Sequence, residues 1–322
     1  MKNGILVIAE QLKGNIADIT FEMLGIGRKL ADTLGIPLFA AVIGNNVNQL
    51  GKELSIADKV FVIDDTKLEM ADPYVTADII KVLYEQKEAS LILIGGTNLS
   101  SGVGAILSRK MGLKYINFCK GLSIEGNSIT ATSQLFGGKI YSEIKLDEPA
   151  AIISIYPGSF QQAEGKSTKP ANIEVMDLQI SEGKCKFNKY IEPEAGDIDI
   201  TKEKILVSVG RGIENSDNIG MAEELIEILG GAVCASRPVI DQGWMGLSRQ
   251  VGKSGMTVKP KLYLALGISG APEHTEGMKD SELIISINKD PAAPIFNISH
   301  YGVCADLQDI VPALIDEVKS RK

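Results

Sequence analysis

The chain has 322 residues, 44% hydrophobic and 23% charged, with a formal net charge of −8 at neutral pH. Its length suits two domains of about 150 residues each. The negative charge argues against a nucleic-acid partner, because phosphate contacts require clustered Lys and Arg. The sequence has neither an apolar run of 18 residues nor a long apolar signal core, so we expect a cytoplasmic protein without membrane insertion. Four widely spaced cysteines without a CxxC pair predict buried free thiols.

The first 115 residues alternate strand and helix patterns, which predicts a parallel sheet covered on both faces. Short apolar runs predict strands over 4–9, 37–43, 59–63 and 90–94. A helical stripe from Ile19 to Leu34 and a helix pattern over 74–88 separate them. Further strand-like runs separated by turn residues follow over 122–124, 128–132, 139–146 and 150–155. We expect these to be antiparallel strands extending the same sheet.

A polar stretch from 155 to 204 predicts a linker, with the hinge near its end. A second alternation of strands and helices then begins. Strands are expected over 205–209, 232–236, 262–266 and 283–287, with helices over 217–229 and 307–319. The predicted organisation is therefore an N-terminal α/β domain over 1–190, a hinge over 191–202 and a C-terminal doubly wound α/β domain over 203–322. Each domain should contain a mostly parallel sheet flanked by helices.

The candidate site residues lie in loops that follow strands of the second domain. Each loop combines small residues, which let a ligand approach the backbone, with a few polar side chains. The four loops are Ser236-Arg237-Pro238-Val239-Ile240-Asp241, Val251-Gly252-Lys253-Ser254-Gly255, Gly267-Ile268-Ser269-Gly270-Ala271-Pro272-Glu273-His274 and Ile287-Asn288-Lys289-Asp290-Pro291. Several such loops at strand ends predict a crevice for a long polar cofactor.

Two of the glycine-rich segments resemble known phosphate loops without matching them. Gly210-Arg211-Gly212 follows a predicted strand and precedes a helix, so it is either a phosphate site or an ordinary turn. Asn215 occupies the place of the third glycine of a dinucleotide fingerprint. The segment Gly252-Lys253-Ser254 lacks the first glycine of a nucleotide-hydrolysing P-loop, since Leu247 stands there.

Arg237 and His274 are the side chains in these loops that are best suited to a role in cofactor chemistry. Arg237 precedes Pro238, which stiffens the backbone, and its planar guanidinium could pair with an anionic ring system or form a salt bridge within the loop. His274 is either a structural residue or a cofactor contact. The sequence offers no Ser-His-Asp arrangement and no metal-ligand cluster, so any demanding reaction chemistry would be carried by a cofactor.

In these residues the chain closely resembles the alpha subunit of electron transfer flavoprotein. The motifs GRG, SRPVxD, GWM, VGxSG, PxLYxAxGISGA, INKDPxAPIF and YGxxxDL follow in order from Gly210 onwards. A weaker resemblance covers the first domain, through Glu10-Gln11 and the segment from Gln134 to Lys139. The resemblance implies an electron carrier whose C-terminal domain binds FAD and whose N-terminal domain binds no cofactor but contacts the beta subunit.

The resemblance also implies which residues contact FAD. It suggests that Arg237 stabilises reduced, anionic flavin, that His274 lies near the pyrimidine edge and that Ser254 lies near N5. The implied contacts are Arg211, Ser236, Arg237, Val251, Gly252, Lys253, Ser254, Ser269, Gly270, Ala271, Pro272, Glu273, His274, Asn288, Asp306 and Leu307. Many relatives carry other residues at Lys253-Ser254, at Pro272-Glu273 and at His300. Because Lys253 adds a positive charge near the flavin and Glu273 a negative one, the direction of any change in redox potential stays open.

The implied partners are the beta subunit, carrying AMP or a second FAD, and an acyl-CoA dehydrogenase. Whether the complex also reduces ferredoxin or uses NADH through electron bifurcation, and in which direction electrons flow, is left open by this chain alone. One alternative is an NAD(P)-binding transhydrogenase-like domain, which the missing third glycine disfavours. Another is an adenine-nucleotide sensor built on the first domain, which lacks a clear phosphate loop.

Overall fold

The computed structural model describes residues 4–69, 72–87, 89–126, 128–147, 150–185, 188 and 198–321. The chain divides into two compact units, Met1–Lys189 and Tyr190–Lys322. Within the described residues, no helix is both long and apolar enough to cross a membrane. Two cysteines, Cys119 and Cys234, are buried as free thiols, but Cys185 and Cys304 are exposed, so the expectation of burial is wrong for these two.

The N-terminal unit is an α/β structure built around one nine-stranded sheet. Its strands are β1 (Ile5–Ala9), β2 (Gln11–Leu12), β3 (Asn15–Ile16), β4 (Leu38–Gly44), β5 (Lys59–Asp64), β6 (Leu91–Gly95), β7 (Lys114–Glu125), β8 (Ser128–Leu135), β9 (Ile140–Leu146), β10 (Ala151–Ile155) and β11 (Ile173–Val175). Its helices are α1 (Asp18–Leu34), α2 (Pro73–Gln86) and α3 (Val103–Met111). The strand order is β11-β5-β4-β1-β6-β10-β7-β8-β9, with β2 and β3 forming a separate small hairpin.

Apolar patterning explains why this sheet is covered on both faces. All five residues of β1 are buried, as expected for a parallel strand with helices above and below. On one face α1 buries Ile19, Met23 and Leu30, which recur at helical spacing. The opposite face is covered by α2 and α3. The predicted fold class, a mostly parallel sheet flanked by helices, is confirmed for this unit.

Two expectations about the N-terminal unit are wrong. The strand predicted over 150–155 is not antiparallel, because β10 runs parallel to both its neighbours, β6 and β7. Among the described strands of the nine-stranded sheet, only the β7-β8-β9 meander is antiparallel. The five consecutive buried residues of β10 are typical of an interior parallel strand. The polar stretch after residue 155 is also more than a linker, since β11 pairs with β5 at the edge of the sheet.

The C-terminal unit contains a five-stranded sheet in which all pairs are parallel. Its elements are β12 (Ile205–Val209), α4 (Ile219–Leu229), β13 (Ala232–Ala235), α5 (Arg237–Asp241), β14 (Leu262–Leu266), α6 (Pro272–Thr275), β15 (Leu283–Asn288), β16 (Tyr301–Cys304) and α7 (Leu307–Ser320). The strand order is β13-β12-β14-β15-β16, which is the order of a doubly wound fold.

The two faces of this sheet are covered differently. One face packs against α4 and α7 through residues such as Leu225 and Val311. The other face is covered largely by loop residues, among them Val258, Met278 and Ile295. Because long helices cover only one face, the loops between the strands form much of the core and their conformations are fixed by packing.

One helix boundary and one strand in this half differ from the expectation. Helix α4 begins at Ile219, because a separate turn over Ser216–Asn218 precedes it. Strand β16 is not predicted by the sequence, because it is only four residues long and includes Gly302; all four of its residues are exposed. The predicted hinge over 191–202 lies mostly outside the described residues. At its described end Ile200 is buried among core residues of the C-terminal unit.

Candidate functional site

The predicted site residues follow the carboxyl ends of the C-terminal strands. Because all five strands are parallel, these ends lie at one edge of the sheet, which we call the carboxyl edge. The chain leaves β12 towards β13 on one side and later reaches β14 on the other side. Such a reversal creates a crevice where open α/β sheets bind ligands. The loops after β12 and β14 meet at this point.

The turn after β12 uses its backbone donors within the fold. The amide of Gly210 donates to the carbonyl of Leu266 at 2.8 Å, and the amide of Gly212 donates to Gly267 at 3.0 Å. Helix α4 begins only at Ile219, so the turn over residues 210–212 is not at the N-terminus of this helix. These amides therefore do not form a helix-end phosphate site, and the tight-turn alternative describes them better. The side chain of Arg211 remains exposed.

Ser236 and Arg237 begin the short helix α5 at the end of β13. Ser236 is buried, and its amide donates to the carbonyl of Val209 at 3.0 Å. Arg237 Nε lies 3.4 Å from Oδ2 of Asp241, and both side chains are about two-thirds exposed, at 67% and 62%. The salt bridge foreseen as an alternative is thus present. Since an exposed pair of this kind is weak, it leaves the guanidinium available to an anionic ligand.

The loop from Val251 to Gly255, which we call the 251–255 loop, packs against helix α6. The amide of Val251 donates to Ala235 at 2.9 Å, and the amide of Lys253 donates to the carbonyl of Glu273 at 2.7 Å. Gly252 has φ 136°, and a Cβ there would lie 2.7 Å from the Glu273 carbonyl oxygen. Only glycine meets both demands without strain. The structure therefore brings two of the predicted loops into direct contact.

Lys253 and Ser254 present the polar side chains of this loop. Both residues are exposed, whereas Val251 is buried in the core and can offer a ligand only its backbone. The Ser254 hydroxyl accepts a hydrogen bond of 2.9 Å from the side-chain amide of Gln250, which is itself buried. Gln250 thus orients Ser254 from beneath the loop.

His274 is buried on α6, with only 7% of its surface exposed. Its Nδ1 lies 3.1 Å from the carbonyl oxygen of Val251, and its Nε2 lies 3.0 Å from the hydroxyl of Tyr263. Burial lowers the pKa of the imidazole to about 4, so the ring is neutral at physiological pH. Both ring nitrogens are engaged within the protein.

The loop after β14 leads into α6 and carries five further candidates. Gly270 has φ 86°, and a Cβ there would lie 2.3 Å from the amide of Ile295. The carbonyl of Ser269 accepts from that same amide at 3.0 Å, while the Ser269 side chain is exposed. The remaining three residues, Ala271, Pro272 and Glu273, are exposed.

The last candidates follow β15 and β16. The side-chain amide of Asn288 donates to the carbonyl of Ile268 at 2.9 Å, which ties β15 to the loop after β14. Asp306 caps α7 by accepting from the amide of Gln308 at 2.9 Å, and Leu307 is buried in the core. Asn288 and Asp306 therefore stabilise the fold and also lie at the carboxyl edge, where a ligand could contact them. The buried Leu307 could offer a ligand only its backbone.

Sequence inspection missed two residues that support this edge. Tyr263 lies within the apolar run of β14 and is fully buried, so the pattern indicates an ordinary core residue. Gln250 is a polar residue in a segment without clear periodicity, and it too is buried. Both act through hydrogen bonds to residues distant by 4 or 11 positions, which spacing alone does not reveal.

Comparison with known families gives two matches that together span most of the chain. Residues 5–181 match the electron transfer flavoprotein domain, which is more than half of the chain. Residues 199–279 match the electron transfer flavoprotein FAD-binding domain. The second match contains the candidates from Arg211 to His274, whereas Asn288, Asp306 and Leu307 lie beyond it.

Curated relatives align over nearly the whole chain. The electron transfer flavoprotein subunit alpha of Thermoanaerobacterium thermosaccharolyticum is 35% identical, over 99% of this chain and 98% of the relative. The acryloyl-CoA reductase electron transfer subunit beta of Anaerotignum propionicum is 36% identical, over 99% and 96%. Subunit LctC of the lactate dehydrogenase (NAD(+),ferredoxin) of Acetobacterium woodii is 34% identical, over 98% and 77%.

The residues at the carboxyl edge fit FAD. FAD combines an anionic pyrophosphate with flat rings, so it requires positive charge and close backbone approach. The exposed cations at this edge include Arg211, Arg237 and Lys253, as well as Lys289, which pairs with Glu214. Gly252 and Gly270 let the neighbouring loops pack backbone to backbone, which fixes the shape of this edge. This donor set suits a dinucleotide rather than a metal ion.

Proposed function

The chain belongs to the electron transfer flavoprotein family as an alpha subunit, and we propose that it carries electrons through FAD held at the carboxyl edge of its C-terminal unit. In this proposal the chain itself does not transform an organic substrate. The exposed cations and close-packed glycine loops of the carboxyl edge, within the segment that matches the FAD-binding domain, are the observation that carries it.

Bound FAD would supply the capacity to accept and release electrons. Arg237 would contribute a fixed positive charge, because a guanidinium does not lose its proton in proteins. His274 is unsuited to proton transfer near neutral pH, since its pKa is lowered to about 4 and both nitrogens are engaged. These residues would therefore bind and electrostatically stabilise a cofactor rather than act as acid or base.

We further propose that the chain works in a heterodimer with a beta subunit, carrying AMP or a second FAD, and exchanges electrons with an acyl-CoA dehydrogenase. The relative named as the electron transfer subunit of an acryloyl-CoA reductase supports a partner that acts on acyl-CoA. The relative from the lactate dehydrogenase (NAD(+),ferredoxin) supports electron exchange with an oxidoreductase more generally. Counting flavins in the purified complex distinguishes the two forms: two FAD per heterodimer supports electron bifurcation, and one FAD with AMP argues against it.

Charge removal at opposite ends of the sheet tests the proposed site. Replacing Arg211, Arg237 and Lys253 by Gln removes three positive charges from the carboxyl edge. Replacing Lys204, Lys259 and Lys261 by Gln removes three exposed charges that precede β12 and β14 at the other edge. FAD content is measured from the visible absorption and by chromatography of the released cofactor.

We expect the first triple variant to lose FAD and the second to retain it. The loss should be partly rescued at low ionic strength, because the remaining electrostatic attraction is then less screened. Equal FAD retention in both variants would contradict the proposed site. In the wild type, mixing with an acyl-CoA dehydrogenase and its acyl-CoA substrate should bleach the flavin absorption.

A further inference from the structure

An ion pair joins two loops of the carboxyl edge whose strands are not neighbours. Lys289 directly follows β15, and its Nζ lies 2.9 Å from Oε1 of Glu214, which ends the turn after β12. In the strand order, β14 lies between β12 and β15. The pair therefore spans the carboxyl end of β14, beside the crevice at which the chain reverses. We call this ion pair the 214–289 pair.

The backbone holds Glu214 in an unusual conformation at this place. Its φ is 73° and its ψ is −45°, and the amide of Asn215 donates to the carbonyl of Ile213 at 3.0 Å. This is a three-residue γ-turn centred on Glu214, a rare and strained form for a residue that carries a side chain. The side-chain amide of Asn218 donates to the same carbonyl at 2.8 Å, and Ile213 is buried. The turn, and not only the ion pair, therefore fixes where the Glu214 carboxylate lies.

The 214–289 pair holds Lys289 only weakly. Both side chains are more than half exposed, 64% for Lys289 and 53% for Glu214. An exposed pair contributes little, because water screens both charges. Hydrogen bonding and charge from Glu214, with a smaller effect of the Asp306 charge, raise the pKa of Lys289, so its ammonium is protonated at neutral pH. A permanent cation with a weakly held partner can exchange that partner for a stronger anion.

We propose that Glu214 is an internal competitor of FAD: its carboxylate holds Lys289 before the cofactor binds, and the pyrophosphate of FAD takes its place. The inference rests on the proposed function, because it requires FAD at the carboxyl edge. A pyrophosphate carries two negative charges and several acceptor oxygens, so it is a stronger partner for an ammonium than a single carboxylate. Glu214 thereby lowers the affinity for FAD and speeds the release of the cofactor.

Three variants of the pair and one control test the competition. Glu214→Gln removes the competing charge at nearly constant size, Lys289→Met removes the cation, and the double variant removes both. Glu224→Gln is the matched control, because Glu224 pairs with Lys319 at 2.7 Å and both side chains are about half exposed, at 50% and 52%. Lys319 lies about 18 Å along α7 from Leu307 at the carboxyl edge. The rate of FAD release from each full-length holoprotein and the dissociation constant on rebinding are measured by flavin fluorescence.

Glu214→Gln should bind FAD about threefold more tightly and release it more slowly, a change of the size that one exposed ion pair contributes. Lys289→Met should bind FAD about tenfold more weakly, since it loses a charge-assisted contact. In the Lys289→Met background, Glu214→Gln should have little further effect, because the competition acts through the ammonium. Glu224→Gln should leave the FAD affinity unchanged. Both Gln variants should unfold at similar urea concentrations, so a general change of stability would not explain the difference.

Three results would overturn the inference while leaving FAD binding intact. One is an unchanged or weaker FAD affinity in Glu214→Gln; the weaker affinity would make the pair a strap that retains the cofactor. Another is an equal gain from Glu214→Gln in the Lys289→Met background, which would indicate general charge repulsion. The third is an unchanged affinity in Lys289→Met. A wild-type protein that binds no FAD would instead overturn the proposed function itself, so the two failures are distinguishable.

Discussion

The two units place residues of different charge at equivalent positions of similar sheets. In the N-terminal unit, β1 lies between β4 and β6, and the chain reverses direction there as it does at β12 in the C-terminal unit. The residue after β1 is Glu10, a carboxylate with only 5% of its surface exposed. Thr97 Oγ1 donates to it at 2.8 Å and 2.7 Å to the two oxygens, and Ser100 Oγ is a further donor.

This carboxylate packs against the end of the neighbouring strand β6. A Cβ on Gly95, at the end of β6, would lie 2.2 Å from Glu10 Oε1, so the side chain packs directly against the backbone. Burial raises its pKa, with the Ser100 and Thr97 hydrogen bonds opposing that shift. A buried carboxylate disfavours an anionic phosphate, whereas the C-terminal edge offers exposed cations. Similar topology therefore predicts a crevice in both units, but the residues after the strands decide whether an anion can bind.

Replacing Gly252 by a larger residue should have the largest effect on stability and on FAD binding. Gly252→Val places a branched side chain at φ 136° and against the Glu273 carbonyl, so we expect at least 3 kcal/mol of destabilisation and loss of FAD. Gly246→Ala is the control, because its Cβ would meet only Ser248 Oγ at 3.5 Å. Trp244 fluorescence during urea unfolding and flavin content are the measurements. Retention of FAD in the Val variant would show that the loop does not need its close packing.

Acid should destabilise the C-terminal unit through His274. Its folded pKa of about 4 lies below the ordinary 6.5, so the unfolded chain binds the extra proton first. The stabilising contribution of the neutral His274 is fully present above about pH 6.5. It is lost as the pH falls towards 4, which lowers the free energy of unfolding by about 3 kcal/mol over this window. His274→Asn should be less stable at pH 7 but flatter between pH 7 and 4.5. An equal slope in both proteins, followed through Trp244, would contradict a neutral buried imidazole.

Removing the carboxylate of Glu10 should affect only the N-terminal unit. Glu10→Ala leaves the Thr97 and Ser100 hydroxyls without their acceptor, at a cost of about 2 kcal/mol. Glu10→Gln retains an acceptor oxygen and should lose less. Hydrogen–deuterium exchange of peptides covering β1 and β6 measures the effect. FAD content should stay unchanged in both variants, and a parallel loss of FAD would break the assignment of separate roles to the two edges.

Arg237→Ala should have the smallest effect on stability and a measurable effect on redox behaviour. Loss of a charge-assisted contact should lower the first reduction potential of bound FAD by about 60 mV, which for one electron is a tenfold change in the equilibrium constant. Arg237→Lys should restore part of the shift, since it keeps the charge but not the planar fork. Spectroelectrochemical titration at full FAD occupancy measures it. An unchanged potential would leave Arg237 with only its contact to Asp241.

Much of the architecture could be predicted because parallel strands leave a simple pattern. Continuous apolar runs gave β1, β4 and β14 within a residue or two, and parallel pairing then placed the loops after them at a common edge. The direction of β10 could not be obtained in this way. Its apolar run is equally compatible with either direction, and only pairing to β6 and β7 decides it.

The supporting residues of the site were less accessible to sequence reasoning. Tyr263 resembles any aromatic core residue until its hydroxyl is seen beside His274. Conversely, Gly210 and Gly212 suggested a phosphate turn, but their amides bond to the loop after β14. A pattern of residue types indicates which loops are special. Whether a given donor is used within the fold depends on contacts between segments distant in sequence.

Photolabelling of the full-length holoprotein tests the central claim most directly. FAD analogues with an azide on either the adenine or the flavin ring would be bound, irradiated and located by mass spectrometry of the digested chain. The account predicts labels only within residues 203–322, on peptides containing the 251–255 loop, α5 or α6. Labels concentrated in residues 1–190, around β1 and β6, would contradict it.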